Sequence, residues 1–74
     1  MNLSNLNIGD FAQIVSIEIN GDIKKRLLDL GIVPGTKIRA VLSSGNKENV
    51  AYMVRRTLIS IRKEDAKKIR VKFI

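Results

Sequence analysis

"RLLDLGIVPGT", residues 26–36, decides how this chain folds, because it drives an apolar helical segment into a glycine, a Pro-Gly turn and a basic strand. At about 100° per residue, Ile23, Leu27 and Leu30 fall within about 60° of one another and form the core-facing stripe of a short helix. Leu28 points away from that stripe, beside Lys24 and Lys25. Gly31 is placed to end the helix in a left-handed cap. Val33-Pro34-Gly35-Thr36 has proline second and glycine third, the pattern of a type II turn, whose third residue needs positive φ. The helix must therefore stop and the chain reverse within a few residues, which makes the helix a lid inserted between strands. Upstream, Asn20-Gly21-Asp22 supplies turn and cap residues. Asp22 is expected to accept from the free amides of a helix starting at Ile23, and its charge favours that positive end.

On either side of this segment the chain reads as strands. FAQIVSIEI, residues 11–19, is rich in β-branched residues, but Ala12 and Ile14 fit one inward register and Ile17 and Ile19 the other, so a bulge is expected near Val15 and Ser16. TKIRAVL alternates, with Ile38, Ala40 and Leu42 expected inward and Lys37, Arg39 and Val41 outward. SSGNKEN, residues 43–49, reads as a polar hairpin loop, and VAYMVRRTLISIR, residues 50–62, as two strands joined by a tight corner around Arg56-Thr57. Lys63-Glu64-Asp65-Ala66 starts a single helical turn with acids at its amino end. IRVKFI closes the chain with Ile69, Val71 and Phe73 on one side and Arg70 and Lys72 on the other. Five short strands, one short lid helix and one C-terminal helical turn specify a mainly all-β, strongly bent antiparallel barrel. No helix is long enough for a parallel crossover.

Seventy-four residues make one domain, 1–74, because so short a chain buries only about 60% of its unfolded surface and cannot share that between two cores. With one Tyr, two Phe and no Trp, the core must be aliphatic. There is no cysteine and no histidine, which removes disulfides, thiolate or imidazole metal ligands and sulfur nucleophiles. MNLSNLNIGD has neither the basic start nor the apolar core of a signal peptide, and no apolar run reaches the roughly 18 residues of a membrane span, so neither export nor insertion is expected. The net charge of +7 is uneven: residues 1–54 carry net +1 and residues 55–74 net +6. Such a basic end attracts nucleic acid, anionic lipid or an acidic protein surface without choosing among them.

Leu3 with Leu6 and Gly9, the leucine, Leu-Gly and Pro-Gly spacing of "RLLDLGIVPGT", and "TLISIRKEDAKKIRV" together resemble the FeoA family over nearly the whole chain. This is the family of ferrous iron transport protein A, the small cytosolic partner of the bacterial ferrous iron transporter FeoB. The resemblance implies an SH3-like barrel and a place at the inner face of the cytoplasmic membrane. It also implies a non-catalytic role beside a transporter whose cytosolic portion contains a guanine-nucleotide-binding domain. Similar domains occur as interaction modules in metal-dependent repressors of the diphtheria-toxin-repressor type, which gives an alternative reading as a stand-alone relative. The chain departs from the family's usual glycine at Arg56 and lacks a Gly-Pro-like element in the loop it fills with SSGNKEN.

The residues themselves favour contact over chemistry. Ferrous iron prefers imidazole and carboxylate ligands, and here Asp22 and Glu64 read as helix caps while Asp29 balances Lys25 at i+4, so no metal site and no cofactor are expected. Nothing pairs a perturbed acid with a base, and no Gly-rich phosphate loop is present, so no enzyme is expected. Nucleic acid, the other alternative, is disfavoured because basic barrels stack bases on aromatic side chains, and Tyr52 stands alone while Phe11 and Phe73 read as core or edge. The candidate contacts are Leu28 framed by Lys24 and Lys25, and a basic face of Arg55, Arg62, Lys67, Lys68, Arg70 and Lys72 that also suits anionic lipid head groups. Gly31, Pro34, Gly35 and Asp22 are structural. Exposed strand edges make pairing between copies a further expectation.

Overall fold

The computed structural model describes residues 1–46 and 48–74. A 3-10 turn at Leu3–Asn5 leads into β1 (Phe11–Ile17), α1 (Asp22–Asp29), β2 (Lys37–Ser43), β3 (Asn49–Val54), β4 (Thr57–Arg62), α2 (Lys63–Ala66) and β5 (Ile69–Phe73). All neighbouring strands are antiparallel, in the order β4-β3-β2-β1-β5, and their inner faces close on one aliphatic core that includes Ile14, Ile32, Ile38, Val54, Ile69 and Leu3. The expected five-stranded, mainly β fold is the one found. Met1 and Asn2 are drawn against β5, where the Val71 amide donates to the Met1 carbonyl and Asn2 bridges Arg70. The expected loop between β2 and β3 is present as residues 44–48, of which Lys47 lies outside the described residues.

The bulge expected in β1 is present. Pairing with β5 shifts between Ile14 and Ser16, which turns both Ala12 with Ile14 and Ile17 with Ile19 into the core. The reversal read from residues 26–36 is also found. The Gly31 amide donates to the Leu28 carbonyl and the Ile32 amide to the Leu27 carbonyl, the two bonds of a Schellman motif, with Gly31 at φ +93°. That motif seats Ile32 in the core beside Leu27. The Thr36 amide then donates to the Val33 carbonyl across Pro34 and Gly35, with Gly35 at φ +92°.

Four local expectations are corrected. First, a second bulge, between Ala40 and Leu42 in the pairing of β2 with β3, flips the end of β2, so Leu42 faces solvent with 52% of its surface exposed instead of entering the core. Second, of the α1 stripe only Leu27 is buried; Ile23 and Leu30 are half-exposed because Ile32, beyond the helix, takes the inner seat. Third, Gly21 and not Asp22 is the N-cap of α1, and Asp22 is its first residue with no side-chain cap bond, so it acts only through its charge at the positive end. Likewise Glu64 caps nothing in α2, and among the described residues Lys25 and Asp29 form no ion pair within 4.0 Å. Fourth, Phe73 is exposed, because β5 ends there, two residues past Val71, the last of its side chains in the core.

The corner between β3 and β4 is a two-residue loop, with Val54 opposite Thr57 and both Arg55 and Arg56 left-handed at φ +49° and +69°. Two consecutive positive φ values make a type I′ turn, which matches the right-handed twist of the strands but favours Asn and Gly over arginine. A glycine at position 56, which the resemblance implies is usual, would take this conformation without steric cost. Arg56→Gly is expected to raise stability by about 1 kcal/mol, read as a higher urea midpoint at unchanged slope. Arg56→Val, β-branched in the same conformation, is expected to lower it.

Candidate docking surface

The lid helix presents the first candidate contact. Leu28 is 38% exposed on α1, between exposed Lys25 and half-buried Lys24, and is therefore not the core residue that a wide apolar stripe would have made it. Leu3 is fully buried in the main core, with Leu6 packed against that core. On the next face of the helix, Ile23, Arg26 and Leu30 form one wall of a groove of about 320 Å³ whose other wall is Ile59 to Arg62 of β4. β4 is an edge strand, so the backbone groups of Leu58, Ser60 and Arg62 point away from β3 and toward the outside. The sequence pattern contained Ile23 and Leu30 but assigned them to the core. Their role as a groove wall depends on where β4 lies, which helical periodicity does not encode.

The basic residues of the carboxyl third do not form one face. Arg55 sits at the β3–β4 hairpin, and its side chain lies along Gly31, where a Cβ would meet Arg55 Cδ at 3.4 Å. The hairpin cation is thereby carried to the carboxyl end of α1, where the helix dipole favours positive charge. Arg62, at the opposite end of β4, has Nη1 3.8 Å from Glu64 Oε1 in an exposed pair. With Lys63 and Lys67 it borders an open basin that also contains Glu48, Asn49 and Glu64, a surface of mixed sign. Lys67 and Arg70 flank a second depression beside Met1, Asn2 and Glu18. Lys68 follows α2 as an exposed turn residue, and Arg70 and Lys72 project outward from β5. Arg55 therefore joins the Leu28 side of the molecule, and the other five divide between the α2 end and the outer sheet.

The acids are dispersed. Asp22 and Asp29 stand at opposite ends of α1, about 10 Å apart along its axis, and Glu64 and Asp65 lie on α2. Among the described residues no three Asp or Glu side chains gather where they would hold a metal ion together. Tyr52, whose hydroxyl is the phenol of the chain, is 1% exposed, and burial pushes its pKa up from 10.0 to about 12, away from acid–base work near neutrality. It is also out of reach of a nucleic-acid base.

Comparison with known proteins gives a consistent picture. The FeoA domain model matches residues 1–73. A protein of Porphyromonas gingivalis, an Fe(2+) transport protein A/Fe(2+) transporter FeoB fusion protein, is 40% identical over all 74 residues, which correspond to 9% of its length. The chain thus spans about a tenth of that curated relative. Among solved structures, the FeoA protein of Chlorobium tepidum superposes with a TM-score of 0.96 at 28% identity, covering 100% of this chain and 70% of that one. The Stenotrophomonas maltophilia FeoA, solved with zinc and described as a prokaryotic SH3 domain protein, superposes with a TM-score of 0.85 at 30% identity, covering 97% and 89%.

Proposed function

Because this chain belongs to the FeoA domain family of ferrous iron transport, we propose that it is a non-enzymatic accessory protein that docks on the membrane ferrous iron transporter from its cytoplasmic side. The observation that carries this reading is the Porphyromonas gingivalis relative, in which a 40% identical segment is continuous with the transporter polypeptide. Covalent linkage sets a high effective concentration between two modules, an arrangement that rewards a weak contact between them. The surface of this chain supports the same reading. An apolar knob, Leu28, stands among Lys24, Lys25 and Arg55, beside a half-apolar groove, and buried anchors ringed by charge are where interface energy concentrates. The dispersed carboxylates and the upward-shifted tyrosine support contact over catalysis. No described helix is long and apolar enough to cross a membrane.

The test is capture of two separate pieces of the transporter by this chain, the soluble nucleotide-binding portion and the detergent-solubilised membrane region. One of the two is expected to be retained, with affinity that falls as salt rises because lysines and arginines frame the contact. Retention of neither would overturn the docking reading.

A further inference from the structure

The strand register places a line of side chains across the outside of the barrel that no single strand reveals. Phe11 lies opposite Arg39, Arg39 opposite Met53, and Met53 opposite Leu58, all on the face turned away from the core. The apolar members are between 38% and 52% exposed. The bulge in β2 adds Leu42 to the same face in the next row, opposite Ala51. Four large apolar side chains thus stand together in water on a convex sheet, an arrangement that marks a contact surface.

The charges beside this apolar row have one sign. The Arg39 guanidinium lies 5.1 Å from the centroid of the Phe11 ring, and in the row below, Lys37 lies opposite Gln13 and Gln13 opposite Lys72. Beside the apolar row the outward strand positions hold Lys37, Arg39 and Lys72 and no Asp or Glu, whereas Arg62 and Arg70, farther out, have Glu64 and Glu18 near them. A protein partner needs complementarity only where its own charges sit, whereas an anionic leaflet is a continuous negative surface on which any carboxylate would be repelled. A hollow of about 250 Å³ between Phe11 and Met53 is lined otherwise by Lys37, Ile38, Arg39 and Arg55, so every charge that borders it is cationic.

We propose that the outer face of the sheet, from Leu58 on β4 across β3, β2 and β1 to Lys72 on β5, is a membrane-surface contact for anionic phospholipid. Phe11, Leu42, Met53 and Leu58 enter the headgroup–acyl boundary, while Lys37, Arg39 and Lys72 hold phosphate and carboxylate head groups with their alkyl stems laid along the apolar row. The contact adjoins the Leu28 surface at Arg55, which lines the hollow with Phe11 and Met53, but it centres on different side chains and does not depend on transporter docking. It replaces the basic carboxyl-terminal face as the lipid-facing surface, since that face is divided in the folded molecule.

The chain has no tryptophan, so Phe11→Trp gives a clean optical probe. With vesicles of one part phosphatidylserine to two parts phosphatidylcholine at low salt, its emission is expected to shift to the blue, and wild type is expected to co-sediment. Phosphatidylcholine alone is expected to do neither. The double variant Met53→Ser/Leu58→Ser and, separately, Arg39→Gln are expected to bind the anionic vesicles about tenfold more weakly, while Leu28→Glu binds as wild type. All substituted positions are solvent-exposed, and far-ultraviolet circular dichroism verifies that each variant is folded. Failure of wild type to bind anionic vesicles, or binding by both patch variants equal to wild type, overturns the proposal. So does loss of transporter capture by the patch variants with vesicle binding unchanged, which would make the face a protein interface.

Discussion

Tyr52→Ala is expected to remove about a third or more of the stability of the fold and to lower its thermal midpoint far below that of the wild type. Tyr52 is the largest fully buried side chain, in a core otherwise built from aliphatic residues. Truncating a buried aromatic ring to alanine costs about 3–5 kcal/mol. A domain of this length holds about 4–11 kcal/mol in total, with small domains at the low end. Thermal unfolding followed by circular dichroism should therefore show a transition far below that of the wild type. The ring and not the hydroxyl is responsible. Tyr52 Oη lies 3.5 Å from the Leu3 carbonyl oxygen, the outer limit of a hydrogen bond, so Tyr52→Phe is expected to change stability by less than about 1 kcal/mol.

The same phenol gives the folded state an alkaline limit. Its pKa is 10.0 when unfolded and about 12 when folded, so below pH 10 both states keep the proton and stability does not depend on this group. Between pH 10 and 12 the unfolded chain ionises while the folded one does not, and stability falls by about 1.4 kcal/mol per pH unit. Tyr52→Phe should lose that component of the alkaline decline. An identical decline in both proteins would show that other groups cause it.

Leu28→Glu is expected to have the largest effect on binding. Leucine and glutamate have similar helix propensities, Leu28 is already part-exposed, and a carboxylate there stands near Lys24 and Lys25, so the fold should persist with a stability change below about 1 kcal/mol. At the interface the same change buries a charge where an apolar anchor sat. Loss of an anchor of this kind costs 2 kcal/mol or more, about a thirtyfold drop in affinity for the transporter, measurable by calorimetric titration. Unfolding of the variant would make Leu28 a packing residue. Unchanged affinity would move the contact to another surface.

What could be read from the residues was the part of the fold encoded locally. The β1 bulge was legible because Ala12 with Ile14 and Ile17 with Ile19 demand opposite registers, and the Schellman and type II turns were legible because only glycine suits Gly31 and Gly35 at those φ values. The second bulge was not, since Val41 and Leu42 are adjacent and both apolar, and either could face inward. Nor was the left-handed pair at Arg55 and Arg56, where arginine carries no turn signal of its own and only the family's usual glycine hinted at it. The α1 stripe was correct as geometry but wrong as burial, because Ile32, brought back by the turn, fills the place that Leu30 was expected to take.

Of the candidate contacts, Leu28 was legible as an outlier from the helical stripe, which is a local property. The grouping of six basic residues was not a spatial one: Arg55 and Arg62 flank opposite ends of β4, a separation that net charge along the sequence conceals. The row from Phe11 to Leu58 lay outside the reach of sequence periodicity altogether. Phe11 read as core or edge, and only the pairing of four strands brings it into line with Arg39, Met53 and Leu58.

The docking claim is tested most directly by mapping amide chemical shifts of the isotopically labelled chain as the transporter's nucleotide-binding portion and, separately, its membrane region are added. With one of them the largest changes are expected on Lys24, Lys25 and Leu28 of α1 and on Arg55 beside Gly31, with the amides of β1 and β5 largely unmoved. Saturating additions that leave α1 unperturbed, or that shift residues around Tyr52 while the lid helix stays silent, would contradict it.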